Sequence, residues 1–249
     1  MAIHDDLGTR MKDYEFRNQY FLQRRTPVAI RVDMKSGHSF TKGFQRPFDE
    51  IFVKSMQQTA KFMCENIQGA VLSFQQSDEI TIILQDYKNL NTDAWFGYRT
   101  DKMCSIAASM ATMAFNKFFW EESGEVIKNA HYEKISESYK KYVEILMNAR
   151  QKGAMFDARV FNIPKEEVAN LIYWRQLDAT RNSIQMVGQA NFSHSELQNK
   201  SCNVIQEMLF QKRDINWNDF PTHLKRGSCC VKIEATTTCA KTVDGEVIT

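Results

Sequence analysis

The chain has 249 residues, enough for one large domain or two small ones with a self-sufficient core. Its 32 Lys and Arg nearly balance 30 Asp and Glu, leaving a formal charge of +2, so any nucleic-acid partner must be met by a local patch and not by a basic tail. The six cysteines (64, 104, 202, 229, 230, 239) form no C-x-x-C pair and the five histidines complete no ligand set, which argues against zinc; with no leader-like start and no bilayer-length apolar run, a soluble cytoplasmic protein without a membrane partner is expected.

Residues 5–25 carry Tyr14, Phe16, Tyr20 and Phe21, which predicts a helix packed on the domain edge and ended by Pro27. The run Val28-Ala29-Ile30-Arg31-Val32 predicts a strand closed by Asp33, and a polar loop follows over 34–40. Pro47 precedes Phe48, Ile51, Phe52, Met56, Ala60, Phe62 and Met63, whose three-to-four spacing predicts an amphipathic helix broken at 66–69. Two β runs, Ala70-Val71-Leu72-Ser73-Phe74 and Ile80-Thr81-Ile82-Ile83-Leu84, flank Gln75-Gln76-Ser77-Asp78 closely enough to be a hairpin. Residues 95–119, with Ile106, Ala107, Met110, Ala111, Ala114 and Phe115, predict a core helix.

This β-α-β-β-α order fits an α+β fold with a polymerase-like palm, a ferredoxin-like antiparallel sheet carrying helices on one face. Beyond it, the charge-rich segment 121–150 reads as an insertion, helical over 132–147. Met155-Phe156-Asp157-Ala158-Arg159-Val160-Phe161 alternates like a strand, and Pro164 opens a helix through Val168, Leu171, Ile172, Trp174 and Leu177. Residues 193–210 after Gly188 again look helical. The tail offers Cys230-Val231-Lys232-Ile233 and an Asp244-Gly245 hairpin turn. Residues 1–130 are thus expected to form the palm catalytic core, and 131–249 the remainder of one continuous domain, with helical additions and a C-terminal hairpin.

Asp33 at a strand end and Ser77-Asp78-Glu79 at the hairpin corner are the candidate chemistry. A carboxylate beside a β core is costly to desolvate unless neutralised, and hard cations such as Mg²⁺ take oxygen ligands. The alternative reads Asp33 as a turn cap and Asp78-Glu79 as a solvated bend; two such groups flanked by β sequence favour a site. Two ions held between facing carboxylates can promote in-line phosphoryl transfer. Arg99 and Lys102, three apart at a helix start, would meet phosphate there, and the 34–40 loop could add backbone N–H groups with Lys35 or His38 assisting. A solvated Arg/Lys face is the competing reading.

These residues carry a resemblance. Ile30-Arg31-Val32-Asp33-Met34-Lys35-Ser36-Gly37-His38-Ser39-Phe40 resembles the first motif of the tRNA(His) guanylyltransferase superfamily, usually R-x-D-G-R/K-x-F-H-x-F. Gln76-Ser77-Asp78-Glu79 is similar to its Q-S-D-E hairpin, and Trp95-Phe96 with Arg99 and Lys102 to its W-F-x-x-R-x-x-K helix start. Weaker similarity runs on through Tyr173-Trp174-Arg175-Gln176, Asp178 and Lys225-Arg226-Gly227. The resemblance implies 3′-to-5′ addition of nucleotides to tRNA, with two Mg²⁺ ions and with ATP and GTP as substrates.

By that resemblance Asp33, the Met34 carbonyl and Asp78 hold metal, with Glu79 adjacent as a third catalytic carboxylate. Lys35, Ser36, Gly37, His38, Arg46, Ser77, Arg99 and Lys102 contact nucleotide and phosphate, and Arg175, Asn182, Lys225 and Arg226 mark a tRNA or second-nucleotide region. Met34 and Gly37 depart from the family's usual Gly and Phe. Where eukaryotic members carry an H-I-N-N-L-Y-N type motif this chain reads Thr180-Arg181-Asn182-Ser183-Ile184-Gln185-Met186. That divergence resembles the bacterial and archaeal guanylyltransferase-like members, which implies template-dependent 5′-end repair over addition of one guanylate to tRNA(His), and a homotetramer is the family's common assembly. Rival readings are a palm-fold nucleotidyl cyclase and a non-catalytic RNA-binding protein using Lys134, Lys140, Lys141, Arg150, Lys152, Lys212 and Arg213.

Overall fold

The structure, a computed structural model, describes residues 6–129, 136–233, 241–243 and 246–248. β1 (Val28–Met34) is an interior strand whose side chains alternate between the faces: Val28, Ile30, Val32 and Met34 are buried in one apolar cluster, and Ala29, Arg31 and Asp33 point to the opposite face. β1 pairs antiparallel with β3 (Glu79–Leu84) on one side and with β4 (Phe156–Asn162) on the other. β2 (Ala70–Gln76) joins β3 as a hairpin, and β5 (Ser228–Val231) pairs along the outer edge of β2. The sheet order is therefore β4-β1-β3-β2-β5, the expected ferredoxin-like arrangement extended by one late strand.

Two crossover helices cover one face. α3 (Glu50–Asn66) starts at Asp49, whose side chain accepts the Phe52 N–H, and buries the stripe Ile51, Phe52, Met56, Ala60 and Met63. α4 (Thr100–Asn129) lies beside it, with Ala107, Ala111 and Ala114 keeping the contact close and Phe115 and Phe119 filling it. α5 (Glu137–Lys152) adds Tyr142, Leu146 and Ala149 to the same cluster. The other face receives α6 (Val168–Asn191), whose Leu171 packs on Ala29 and Ile83. The far half of α6 and α8 (Cys202–Arg213) build a second, smaller core of Ile184, Val187, Phe192, Ile205, Leu209 and Trp217.

Several expectations change. α1 (Asp6–Phe16) is shorter than 5–25 and buries no residue, because Tyr14, Phe16, Tyr20 and Phe21 spread around a helix and make no single stripe; Tyr20 and Phe21 are instead joined to the start of α4. Residues Trp95–Tyr98 form a 3-10 turn and α4 continues past 119. Gly188 does not end a helix. It lies inside α6, where an added Cβ would sit 2.8 Å from Ile205 Cγ2, so it is the residue that lets α8 cross closely. The helix expected over 193–210 is split into α7 (His194–Leu197) and α8, with Asn199 between them at a φ of 60°. β6 (Lys241–Val243) and β7 (Glu246–Ile248) pair antiparallel, while the Asp244-Gly245 turn and the start of the helix expected from 132 lie outside the described residues.

Candidate active site

The hairpin between β2 and β3 turns in two residues because Ser77 takes the left-handed conformation (φ 49°), steadied by Gln75 Nε2 donating to the Ser77 carbonyl at 2.9 Å. Its tip is tied to β1: the Met34 N–H donates to the Asp78 carbonyl at 3.1 Å. Across the sheet Asp33 stands opposite Glu79 on β3 and opposite Asp157 on β4. Asp33 and Asp78 are thus brought to one end of the sheet. The Asp78 carboxylate lies over the following loop at the one position without a side chain, since a Cβ on Gly37 would fall 2.0 Å from Asp78 Oδ2.

Burial, then the charges of Asp78 and Asp157, push the Asp33 carboxyl above its ordinary range, with Arg159 and Arg31 opposing. Partly desolvated carboxylates that repel one another are an arrangement a cation relieves. Among the described residues no three His, Cys, Asp or Glu side chains converge as a metal cage. A cation here would take two carboxylates, backbone oxygen such as the Met34 carbonyl, and substrate oxygens, a hard and incomplete set that fits Mg²⁺.

Beside Asp78 opens a cleft of about 340 Å³ lined by Gly37, His38, Thr41, Lys42, Arg46 and Ser77, with Phe44, Pro47, Phe52 and Met186 as its apolar walls. His38 and Arg46 are therefore placed with the carboxylates. Residues 37–40 form the one-turn α2 (Gly37–Phe40), anchored by Phe40 against the rings of Phe44, Phe115 and Phe119. That turn uses the Ser39 and Phe40 N–H groups on the Ser36 carbonyl, and Lys35 N–H is taken by Met155, so these three are spent within the chain and not on a ligand.

Other expected site residues sit elsewhere. Arg99 and Lys102 begin α4 beside Tyr20 and Phe21, at the Val28 end of β1 and not the Asp33 end; five strand residues, roughly 16 Å, separate the two ends. Arg99 pairs with Asp101 at 3.0 Å and Lys102 lies over the Phe96 ring. Arg175 is buried, with its donors turned inward to Glu79 and Asp178. Glu79 correspondingly faces guanidinium groups, and while burial pushes its carboxyl up, Arg175 and Arg31 draw it back. Asn182 donates to Asp178, and Lys225 lies over the Trp217 ring with its ammonium on the Asn218 carbonyl, so both are held by the C-terminal layer. Arg226 is exposed at the end of α9 (Thr222–Arg226).

Sequence reasoning passed over three residues that matter. Asp157 faces Asp33, and the alternation it had recognised in 155–161 already places Asp157 and Arg159 on one face. Asp49 and Tyr142 were missed: the buried Asp49 carboxylate in the cleft wall accepts from Phe52 N–H, from Gln45 N–H and, at 2.7 Å, from the Tyr142 hydroxyl, the last a contact 93 positions apart that no local pattern reports.

A family model described as tRNAHis guanylyltransferase matches residues 8–164. The chain belongs to the tRNA(His) guanylyltransferase family. Among solved structures, a bacterial tRNA(His) guanylyltransferase-like protein in complex with ATP is 38% identical, with a TM-score of 0.77 over 91% of this chain and 89% of that one. A bacterial guanylyltransferase-like protein in complex with GTP is 36% identical, with a TM-score of 0.72 over 94% of this chain and 87% of that one. The tRNA(His) guanylyltransferase of Saccharomyces cerevisiae is 27% identical over 218 residues, 81% of this chain and 80% of its own. Membership of the guanylyltransferase family makes the chain a nucleotidyltransferase and gives the two-carboxylate corner its chemical context. Among the described residues no helix is long and apolar enough to cross a membrane.

Proposed function

We propose that this protein adds nucleotides to the 5′ end of tRNA in the 3′-to-5′ direction, directed by a template, as a 5′-end repair enzyme. The observation that carries the chemistry is the convergence of Asp33 and Asp78 beside the cleft that holds His38 and Arg46. In the first step an oxygen of the tRNA 5′-phosphate attacks the α-phosphorus of ATP or GTP and pyrophosphate leaves. In the second, the 3′-hydroxyl of an incoming nucleoside triphosphate attacks the activated 5′-phosphorus and the nucleoside monophosphate leaves. Asp33, Asp78 and the Met34 carbonyl would hold magnesium, which when bound would supply charge neutralisation and a more acidic hydroxyl. Arg46 and Lys42 offset phosphate charge at the cleft, Ser77 borders it, and the apolar walls hold a base. Arg99 and Lys102, at the other end of the sheet, suit phosphates of a longer substrate.

Repair is favoured over guanylate addition by what occupies 180–186. Ser183 and Ile184 are buried in the C-terminal layer, and Ser183 Oγ donates to the Lys225 carbonyl and accepts from Trp217 Nε1 at 3.2 Å. Side chains committed to packing there support the reading in which the eukaryotic motif is replaced by structure, as does the 36–38% identity to bacterial guanylyltransferase-like proteins. A second reading, addition of one guanylate to tRNA(His), keeps support from the relatives named for that activity. Incubation with a 5′-truncated tRNA, Mg²⁺ and each nucleoside triphosphate separates them. Growth by the template-matched base is expected; a G added whatever the template would replace the repair reading. Asp78→Ala should abolish both while leaving the circular dichroism spectrum unchanged.

A further inference from the structure

Glu79 follows Asp78 directly and stands opposite Asp33, yet its carboxylate is turned to α6. Arg175 Nη2 donates to Glu79 Oε2 at 3.0 Å, and its Nε lies 2.7 Å from Oε1 as an ion pair without hydrogen-bond alignment. The same Nη2 donates to Asp178 Oδ2 at 3.0 Å. Arg31, two residues before Asp33 on the same face, lies 3.4 Å from Glu79 Oε1, and the Arg31 and Arg175 guanidinium groups both pack on the Trp174 ring at 5.1 and 4.7 Å. Arg175 is 6% exposed. A buried guanidinium forked onto a carboxylate is geometrically demanding and contributes little net stability. Its useful property is that it fixes a direction.

We propose that Arg175 is a positioning residue: through Glu79 it clamps the tip of the β2–β3 hairpin to α6 and so presets Asp78 against Asp33 at the spacing a divalent cation needs. The clamped side chain belongs to the residue directly after Asp78, so a rotation of Glu79 is passed to the turn. Asp33 is held from the other side by the β1–β3 register, and Arg31 ties that strand to the same carboxylate. The role rests on the reading of Asp33 and Asp78 as cation ligands.

The test is binding of Mn²⁺ alone to the full chain, followed by the electron paramagnetic resonance of the free ion, in Arg175→Gln, Arg175→Lys, the double variant Arg175→Gln/Glu79→Gln, and Asp78→Ala. Arg175→Gln is expected to weaken Mn²⁺ binding roughly 10- to 100-fold, as loss of a partner behind a metal ligand does. The apparent KM for ATP should stay within about twofold. Arg175→Lys, lacking the fork, should recover only part of the affinity. Should the single variant leave Glu79 unpaired and fail to fold, the double variant removes both charges and carries the measurement. Weakened binding in the folded double variant, no worse than in the single, upholds action through Glu79. Wild-type Mn²⁺ affinity in Arg175→Gln or in the double variant, with binding lost in Asp78→Ala, overturns the positioning role alone. Wild-type affinity in Asp78→Ala overturns the cation site itself.

Discussion

Gly37 has no side chain because the Asp78 carboxylate occupies the space one would need. Gly37→Ala must move either the loop or the carboxylate, and a displacement of about 1 Å at a reacting centre costs on the order of 100-fold in rate. Single-turnover nucleotide addition should show that loss with the melting temperature nearly unchanged. Asp33 gives a second prediction at this scale. Its carboxyl is held above the ordinary range, so in the absence of metal the folded chain keeps that proton longer than the unfolded one does. Stability therefore falls as pH rises from the ordinary carboxylate range through Asp33's raised value. Asp33→Asn abolishes this term: without divalent ions the variant should melt above wild type at pH 7, the gap closing in acid, and added Mg²⁺ should stabilise only the wild type. Equal melting curves at both ends of the range would show that the carboxylates are not in conflict.

At the scale of elements, α5 supports the cleft from behind, through Asp49 in its wall. Tyr142 places a hydroxyl on buried Asp49, and burial followed by that bond holds the phenol well above its usual range, fixing it as the donor. Tyr142→Phe leaves a buried carboxylate one donor short and should cost about 1–3 kcal/mol in a denaturant melt. It should also raise KM for the nucleotide, because Asp49 and Gln45 line the cleft. The hairpin, β1 and α3 were legible in the sequence because each carries its own local pattern: short apolar runs for the strands, three-to-four spacing for the helix. The corner of Asp33 and Asp78 was legible for the same reason, each closing a run whose direction was already known. The inward turn of Arg175, the bond from Tyr142 on α5 to Asp49 and the distance of Arg99 and Lys102 from the corner were not, since they depend on which end of α4 meets which end of β1, on α5 joining α3 in the main core and on α6 returning to the open face. The continuation of α6 through Gly188 failed for a related reason: glycine there answers to Ile205 on another helix and not to its own neighbours.

For the whole molecule, the five-stranded sheet is built from residues 28 to 231; the main core on one face draws on residues from Val28 to Phe156, and the smaller core beyond the other face on residues from Ile184 to Trp217. The apolar side of α5 is used inside the chain, where Tyr142, Leu146 and Ala149 join the main core. α1 is the opposite case: Leu7, Met11 and Tyr14 follow helical spacing, are 59%, 45% and 61% exposed, and touch no core. If the protein assembles as the homotetramer that the resemblance implies, this stripe is where a second copy fits. The double variant Leu7→Glu/Met11→Glu should then sediment as a smaller species with its fold intact; an unchanged sedimentation coefficient would remove α1 from the interface.

The fifth strand has a temporal consequence. β5 zips onto β2 from Ser228 opposite Gln75, within two residues of the turn that carries the second acidic group. Ser228 leaves the ribosome 150 positions after Asp78 (228 − 78), so nascent chains first carry the acidic corner without its flanking strand, and each copy should gain the ability to handle a nucleotide only once that late stretch has emerged.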